Sequence, residues 1–236
     1  MRAHTSDRAR RPARLAFLCL ITLAAGCGGS RPEPETGPDP TTDRGTDLEE
    51  LEAIYEARAD SARMNVSQAD VDFMTGMIAH HAQALVMSRL APTHGASPRI
   101  QTLAARIINA QKDEIALMQA WLRDRGQPVP EPEIEGITLT LEGVDEHHMH
   151  MPGMLTPRQM EELDAARGPE FDRLFLTYMI QHHEGAVTMV LDLFATDGAG
   201  QDETSFKLAS DIQVDQRSEI ARMERMLAAL GDGGGS

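Results

Sequence analysis

Apolar residues recur three and four positions apart through most of the chain after residue 46, which is the period of an amphipathic helix. Residues with capping chemistry bound several of these segments: Ser67 precedes the second, Ser97-Pro98 the third, and Thr156 with Gln159 the fourth. The pattern predicts six helices, at about residues 47–64, 67–90, 98–125, 156–167, 170–195 and 202–230.

Residues 127–154, between the third and fourth helices, break this pattern. The stretch has four prolines together with several acidic residues. It is predicted to be an irregular loop with one short extended piece at 137–141. Loops of this length inside compact domains are often functional or mobile.

A short phrase occurs twice along the chain. Met77-Ile78-x-His80-His81 returns as Met179-Ile180-x-His182-His183, 102 residues later, and each copy is followed by a further methionine, Met87 or Met189. The long helices that follow also match, since Gln111 and Glu114 correspond to Gln216 and Glu219 at an offset of 105. Two such units predict an all-α four-helix bundle with a pseudo-twofold axis and short flanking helices. Its halves, about 47–126 and 155–231, would be joined by the loop 127–154 within one domain, 47–231.

The helical faces predict where the repeated histidines point. At about 100° per residue, His80 and His182 fall at the centre of an apolar stripe, with His81 and His183 on its shoulder. One histidine of each pair should therefore point into the bundle and the other towards a neighbouring helix. A Gln and a Glu on each facing helix would be costly to bury unpaired, so we expect them to contact the histidines.

This polar layer is a candidate metal site. Imidazole and thioether ligands without thiolate suit copper, especially Cu(I), whereas imidazole with carboxylate suits zinc, Cu(II) or iron. The alternative is a hydrogen-bonded layer that only fixes helix register. The candidate ligands on the helices are His80, His81, His182, His183, Met77, Met179, Met87 and Met189, with Glu114, Glu219, Gln111 and Gln216 as their outer partners or as alternative ligands.

The connecting loop holds a second candidate metal site. Three His and three Met fall within eight residues of a segment broken by Pro, where methionine has no hydrophobic reason to cluster. The alternative is a solvated polar loop. Elsewhere, Met118 and Met223 are predicted core residues and His94 a surface residue. The loop candidates are His147, His148, Met149, His150, Met151 and Met154.

The first 26 residues are typical of an export signal, with arginines before an apolar run at Leu15–Ala25. Leu23-Ala24-Ala25-Gly26-Cys27 resembles a bacterial lipoprotein cleavage box, which would make Cys27 the lipidated N-terminus; an ordinary secretory signal is the alternative. Residues 27–46 are rich in Pro, Gly and acidic residues and predict a disordered tether. The protein is therefore expected in a bacterial cell envelope, anchored to a membrane and facing the periplasm or the exterior. A formal charge of −15 argues against a nucleic-acid partner.

The motifs Phe73-Met74-x-x-Met77-Ile78-x-His80-His81, Met151-Pro152-Gly153-Met154 and the second His-pair phrase resemble those of a bacterial family, domain of unknown function 305. The resemblance covers residues 65–230. It implies a ferritin-like four-helix bundle, and since some exported members are associated with copper, it implies a copper role for the His pairs, Met77, Met179 and the 151–154 segment.

Together these patterns predict an exported metal-binding protein that sequesters or hands on copper, with the metal ion as its main partner. One alternative is a ferritin-like metal oxidase that uses His80, His182, Glu114 and Glu219. Another is a structural or interaction bundle without metal. Haem is a weaker possibility, because the chain has no covalent attachment motif.

Overall fold

The computed structural model describes residues 44–64, 66–142 and 151–232. The chain divides into two compact units, Met1–Asp47 and Leu48–Ser236, and of the first only the opening turn of a helix is described. The predicted helical bundle is confirmed. Its elements are α1 (Arg44–Met64), α2 (Gln68–Leu90), α3 (Pro98–Asp124), β1 (Glu131–Glu135), β2 (Thr138–Glu142), α4 (Pro157–Ala165), α5 (Pro169–Ala195) and α6 (Glu203–Asp232).

The helix starts follow from the capping residues in the sequence. The Ser67 side chain accepts from the Asp70 backbone N–H, and Ser97 does the same for Ile100. Thr156 and Gln159 form a reciprocal capping box at α4. Such caps satisfy backbone donors that the first helical turn leaves without partners. The predicted boundaries therefore lie within a few residues of those in the structure.

Residues 131–142 are a two-stranded antiparallel hairpin rather than an irregular loop with a single extended piece. β2 coincides with most of the predicted extended segment. β1 was missed because its sequence, Glu-Pro-Glu-Ile-Glu, carries a proline and three acidic residues. Proline is tolerated on an edge strand, and Gly136, with φ +61°, makes the tight turn. Ile134 and Leu139 pack against the bundle core.

α2 packs along α3 and α5 along α6, and the two helix pairs meet through α2 and α5. Two buried aspartates join the pairs. Asp70, at the start of α2, accepts from the Gly200 N–H (3.0 Å) and the Ser205 hydroxyl (2.6 Å) just before and within the first turn of α6. Asp172, at the start of α5, accepts from the Ser97 N–H (3.0 Å) at the start of α3. Because α5 ends shortly before α6 begins, the start of α2 lies near the end of α5, and these two helices run antiparallel.

The core consists of two apolar clusters. One draws mainly on the first half of α2 and the second half of α5, including Met77 and Met189. The other draws mainly on the opposite halves, including Met87 and Met179. In contrast, large apolar side chains in the described part of α1 are exposed, as Tyr55 illustrates at 74%. None of the helices that the structure describes is long and apolar enough to span a membrane.

Candidate metal centre

The four repeated histidines are buried in one layer between the helices. The rings of His80 on α2 and His182 on α5 face each other, with centroids 3.8 Å apart and planes tilted by 41°. His81 and His183 turn away towards α3 and α6. The prediction that one histidine of each pair points into the bundle and the other to a neighbouring helix is confirmed.

The outward histidines are held by carboxylates. His81 Nε2 lies 2.7 Å from Glu114 Oε2, and His183 Nε2 lies 2.8 Å from Glu219 Oε2. The predicted contact between the Glu residues and the His pairs is therefore present in both halves. Because these glutamates are only partly buried, each His–Glu pair connects the interior to the outer face formed by α3 and α6.

His80 is held by the backbone of the segment 151–155, which we call the strap. His80 Nε2 lies 3.0 Å from the Pro152 carbonyl oxygen. The strap is also fixed by Gln83 of α2, whose amide donates to the Leu155 carbonyl (3.0 Å) and accepts from the Leu155 N–H (2.7 Å). The end of the connecting loop is therefore part of the buried site.

The strap lies directly on α5 because two glycines meet there. A Cβ added to Gly185 would lie 1.9 Å from the Pro152 oxygen, and one added to Gly153 would lie 2.7 Å from the Gly185 Cα. Gly153 also has a φ of +78°, which L side chains rarely adopt. The bundle can accommodate the strap only with glycine at both positions.

These contacts fix the protonation of three imidazoles. A carbonyl or carboxylate oxygen can only accept, so the Nε2 atoms of His80, His81 and His183 are the donors in these contacts. All three Nδ1 atoms are buried without a hydrogen-bond partner, and so are both ring nitrogens of His182. A metal-binding histidine is commonly held in this way, through a carboxylate or carbonyl on its other nitrogen.

The facing histidines are neutral at physiological pH. Burial, together with the positive charge that His81 would carry, lowers the pKa of His80 to about 3, although the Pro152 carbonyl opposes this shift. Burial and the neighbouring histidines, first among them His80, lower the pKa of His182 well below its usual value. Neutral imidazole is the form that binds metal ions.

The lowered pKa of His80 predicts that the metal-free protein loses stability in acid. Between its unfolded pKa of about 6.5 and its folded pKa of about 3, the unfolded chain binds the proton that the folded chain excludes. The free energy of unfolding should therefore fall as the pH is lowered through this range. Urea unfolding of chelator-treated protein at pH 7 and pH 4.5 should show a shallower dependence for His80→Gln, by up to about 1.4 kcal/mol per pH unit. Equal slopes for the two proteins would contradict this prediction.

The candidate methionines are buried residues of the two apolar clusters. Met77, Met87 and Met179 are fully buried and Met189 nearly so. Met77 and Met189 belong to one apolar cluster, and Met87 and Met179 to the other. The layer thus has thioethers in the clusters on both of its sides. Met118 and Met223 are buried in the same clusters, as predicted for core residues.

Two predictions about polar residues were wrong. Gln111 and Gln216 are buried, but neither forms a hydrogen bond with the histidines among the residues that the structure describes, because the glutamates one turn later already occupy the histidine Nε2 atoms. His94 is also buried, at 6% exposure, rather than on the surface. Its Nε2 contacts Asp164 and its Nδ1 contacts Thr93, so a lone histidine in a loop is used here to join α4 to the bundle.

The structure describes only two of the loop candidates, Met151 and Met154. Met151 and Met154 are half-buried in the strap, so they do not belong to an exposed loop as the sequence suggested. With Met160 of α4 they line a cleft of about 520 Å³ between the strap, α2 and the hairpin. His147, His148, Met149 and His150 lie outside the described residues, as does Cys27.

Several residues that position the site were not found from sequence. Asp70 and Asp172 are 102 residues apart, the same offset as the histidines, but the contacts they make between the helix pairs were not expected. Gln83 and the Pro152 carbonyl gave no sequence signal, because a backbone oxygen has no side-chain signature and a helical glutamine is usually solvated.

The donor set fits a soft cation better than a hard one at the layer itself. Within the described ranges, no three His, Cys, Asp or Glu side chains converge closely enough to surround an ion. The facing imidazoles and the methionines of the two apolar clusters are nitrogen and sulfur donors, and soft ligands of this kind suit Cu(I).

Similar proteins of known structure share this bundle. A DUF305 fragment from Deinococcus radiodurans is 30% identical, with a TM-score of 0.58, over 70% of this chain and 98% of that one. A candidate secreted protein from Streptomyces coelicolor is 27% identical, with a TM-score of 0.58, over 69% and 94%. CopM in its Cu(II)-bound form is 28% identical, with a TM-score of 0.51, over 68% and 96%. CopM has also been solved in a Cu(I)-bound form, at 27% identity and a TM-score of 0.50.

A match of a different kind is an uncharacterized protein of Acanthamoeba polyphaga mimivirus, 39% identical over 56 residues, which are 24% of this chain. The match spans only 37% of that curated relative. The family model described as Domain of unknown function (DUF305) matches residues 70–227, which include both His pairs, the strap and all four long helices of the bundle. The resemblance seen in the sequence is thereby confirmed, and the chain belongs to the DUF305 family.

Proposed function

We propose that this protein binds copper in the cell envelope, as Cu(I), through His80 and His182 with thioethers from the bordering methionines. Its role would be to sequester the ion or hand it on. The observation that carries the proposal is the set of buried imidazole nitrogens that have no partner, held in a core rich in methionine.

The hydrogen bonding favours a binding site over a layer that only fixes helix register. A register role accounts for His81 and His183, since each contacts a glutamate. It accounts less well for His182, neither of whose buried ring nitrogens forms a hydrogen bond of normal geometry in the described chain, although a contact with the His80 backbone opposes the lowering of the His182 pKa. Leaving a buried polar atom without a partner costs about 1–3 kcal/mol, and a bound ion would remove that cost.

The similarity to CopM supports copper as the cargo, because CopM has been solved with Cu(I) and with Cu(II). The expected export signal, the lipid anchor at Cys27 and the similarity to a candidate secreted protein support a place outside the cytoplasm. The segment 147–154, whose last four residues belong to the strap, would capture the ion before it reaches the layer. Matching Asp, His and Glu contacts in the two halves support their origin from one duplicated helix pair.

No observation favours the oxidase alternative in particular. Its proposed ligands divide into two kinds: His80 and His182 face each other, while Glu114 and Glu219 contact the other two histidines. Elemental analysis of the purified protein would detect bound zinc or iron as well as copper.

The proposal predicts that purified protein binds Cu(I) and that the double variant His80→Gln/His182→Gln weakens this binding by at least about tenfold, since it removes both facing imidazoles. Competition with a chromophoric Cu(I) chelator measures the affinity. Circular dichroism of each variant verifies that the helices remain folded.

His94→Gln is the matched control, because it replaces another buried histidine that lies outside the layer. It should bind Cu(I) as the wild-type protein does. Unchanged affinity and stoichiometry in the double variant would refute the proposed site, and loss in His94→Gln of the same size would show that the effect is not specific to the layer.

A further inference from the structure

A small pocket opens on the outer face where α3 and α6 meet, on the glutamate side of the histidine layer. Its volume is about 170 Å³. We call it the acid–amide pocket, and it is lined by Arg106, Ala110, Gln111, Glu114, Asp215, Gln216, Ser218 and Glu219.

Three carboxylates concentrate negative charge in this pocket. Glu114 and Glu219 each use one oxygen for a histidine and line the pocket as well. Asp215 adds a third carboxylate at the position that Ala110 occupies in the first half of the chain, at the offset of 105. Partial burial, and then the charges of Glu114 and Glu219, raise the pKa of Asp215. Arg106 is the single cation in the lining.

Two buried amides also face the pocket. Gln111 and Gln216 are each only 2% exposed. Both amide atoms of Gln111 and the carbonyl oxygen of Gln216 have no hydrogen-bond partner among the described residues. A buried amide without a partner is costly, so a pair of them lining one pocket is an independent sign that something is bound there.

We propose that the acid–amide pocket binds one hydrated divalent cation, separately from the Cu(I) site. The pocket offers carboxylate and amide oxygens, which suit hard and borderline divalent ions rather than Cu(I). The carboxylates do not converge closely enough to surround a bare ion, since no cluster of three His, Cys, Asp or Glu ligands occurs in the described chain. The ion therefore keeps part of its water shell, and the buried amide oxygens accept hydrogen bonds from those waters or coordinate directly.

The pocket lies next to the histidine layer. Glu114 and Glu219 line the pocket and also contact His81 and His183, so an ion held there lies one side chain away from the histidine layer. A divalent ion can be retained at the surface by oxygen ligands, whereas the facing imidazoles of the layer provide nitrogen ligands. The two sites therefore differ in ligand hardness and are distinguishable with different metals.

The test titrates metal-free protein with Mn(II) alone and follows the free ion by electron paramagnetic resonance. Wild-type protein should remove about one Mn(II) per chain from the free signal, and Asp215→Asn should weaken binding by about tenfold or more. Asp215 is exposed and the substitution is nearly isosteric, so the variant should fold. Asp113→Asn, an exposed position of α3 outside the pocket lining, is the matched control and should bind Mn(II) normally.

The outcomes separate this inference from the proposed copper function. An Asp215→Asn protein that loses Mn(II) but keeps wild-type Cu(I) affinity supports a separate pocket, whichever residues prove to bind Cu(I). Absence of Mn(II) binding in the wild type overturns the inference. So does an equal loss in Asp113→Asn, which would indicate diffuse surface charge, or a parallel loss of Cu(I), which would indicate one shared site.

Discussion

Gly185→Ala should destabilise the protein, even though alanine is the better helix former. The added Cβ would lie 1.9 Å from the Pro152 oxygen, in contact with backbone that cannot rotate away. Overpacking of this kind costs about 1–3 kcal/mol and occasionally more, which exceeds the gain of about 1 kcal/mol from helix propensity. We expect a net loss of about 2 kcal/mol in the free energy of unfolding, and displacement of the strap from His80. Urea unfolding measures the first effect.

Hydrogen exchange measures the displacement of the strap. The Leu155 N–H donates to Gln83 and should be protected in the wild type but exchange faster in Gly185→Ala. Gly231→Ala is the matched control, because Gly231 is also helical and a Cβ there meets no atom within 4 Å. That substitution should be neutral or stabilising. If the two variants have equal stability, close contact between the strap and α5 is not what requires glycine at position 185.

Asp70→Ala should produce the second large loss, of about 3 kcal/mol, because one buried carboxylate accepts from a backbone N–H and two hydroxyls. Asp172→Ala should cost less, since among the described residues the Asp172 carboxylate accepts from the Ser97 N–H alone. Chemical denaturation gives both values. Asp192→Ala, at an exposed position of α5, should change stability by less than about 0.5 kcal/mol. A wild-type stability for Asp70→Ala would contradict the role assigned to this residue.

Much of the bundle was predictable because its information is local. Helical periodicity and the caps at Ser67, Ser97 and Thr156 set the boundaries of the helices. The 102-residue repeat predicted that the His pairs occupy equivalent places, and the polar residues on the facing helices predicted contacts with the histidines, of which the Glu114–His81 contact is one. In each case the residue type and its spacing carry the information, since a buried polar side chain on a helix must find a partner on the facing helix.

The contacts of the strap were not predictable in the same way. His80 contacts a backbone oxygen, and any residue at position 152 would provide one. Gln111 and Glu114 share one helical face, so periodicity could not decide which of them would reach the histidines. The first strand was hidden because Pro132 and its acidic neighbours are typical of loops, and only pairing with β2 makes them a strand. These features depend on residues far apart in the chain.

The buried aspartates also constrain the order in which the molecule can fold. Asp70 contacts Gly200 and Ser205 across 130 and 135 residues, whereas each helix pair closes through a short connection. Closing the longer loop costs more chain entropy, so the helix pairs should form first and the Asp70 contacts last. During synthesis from the N-terminus, α2 therefore cannot make these contacts until the start of α6 has been synthesised. Until then, the two helix pairs do not enclose the histidine layer.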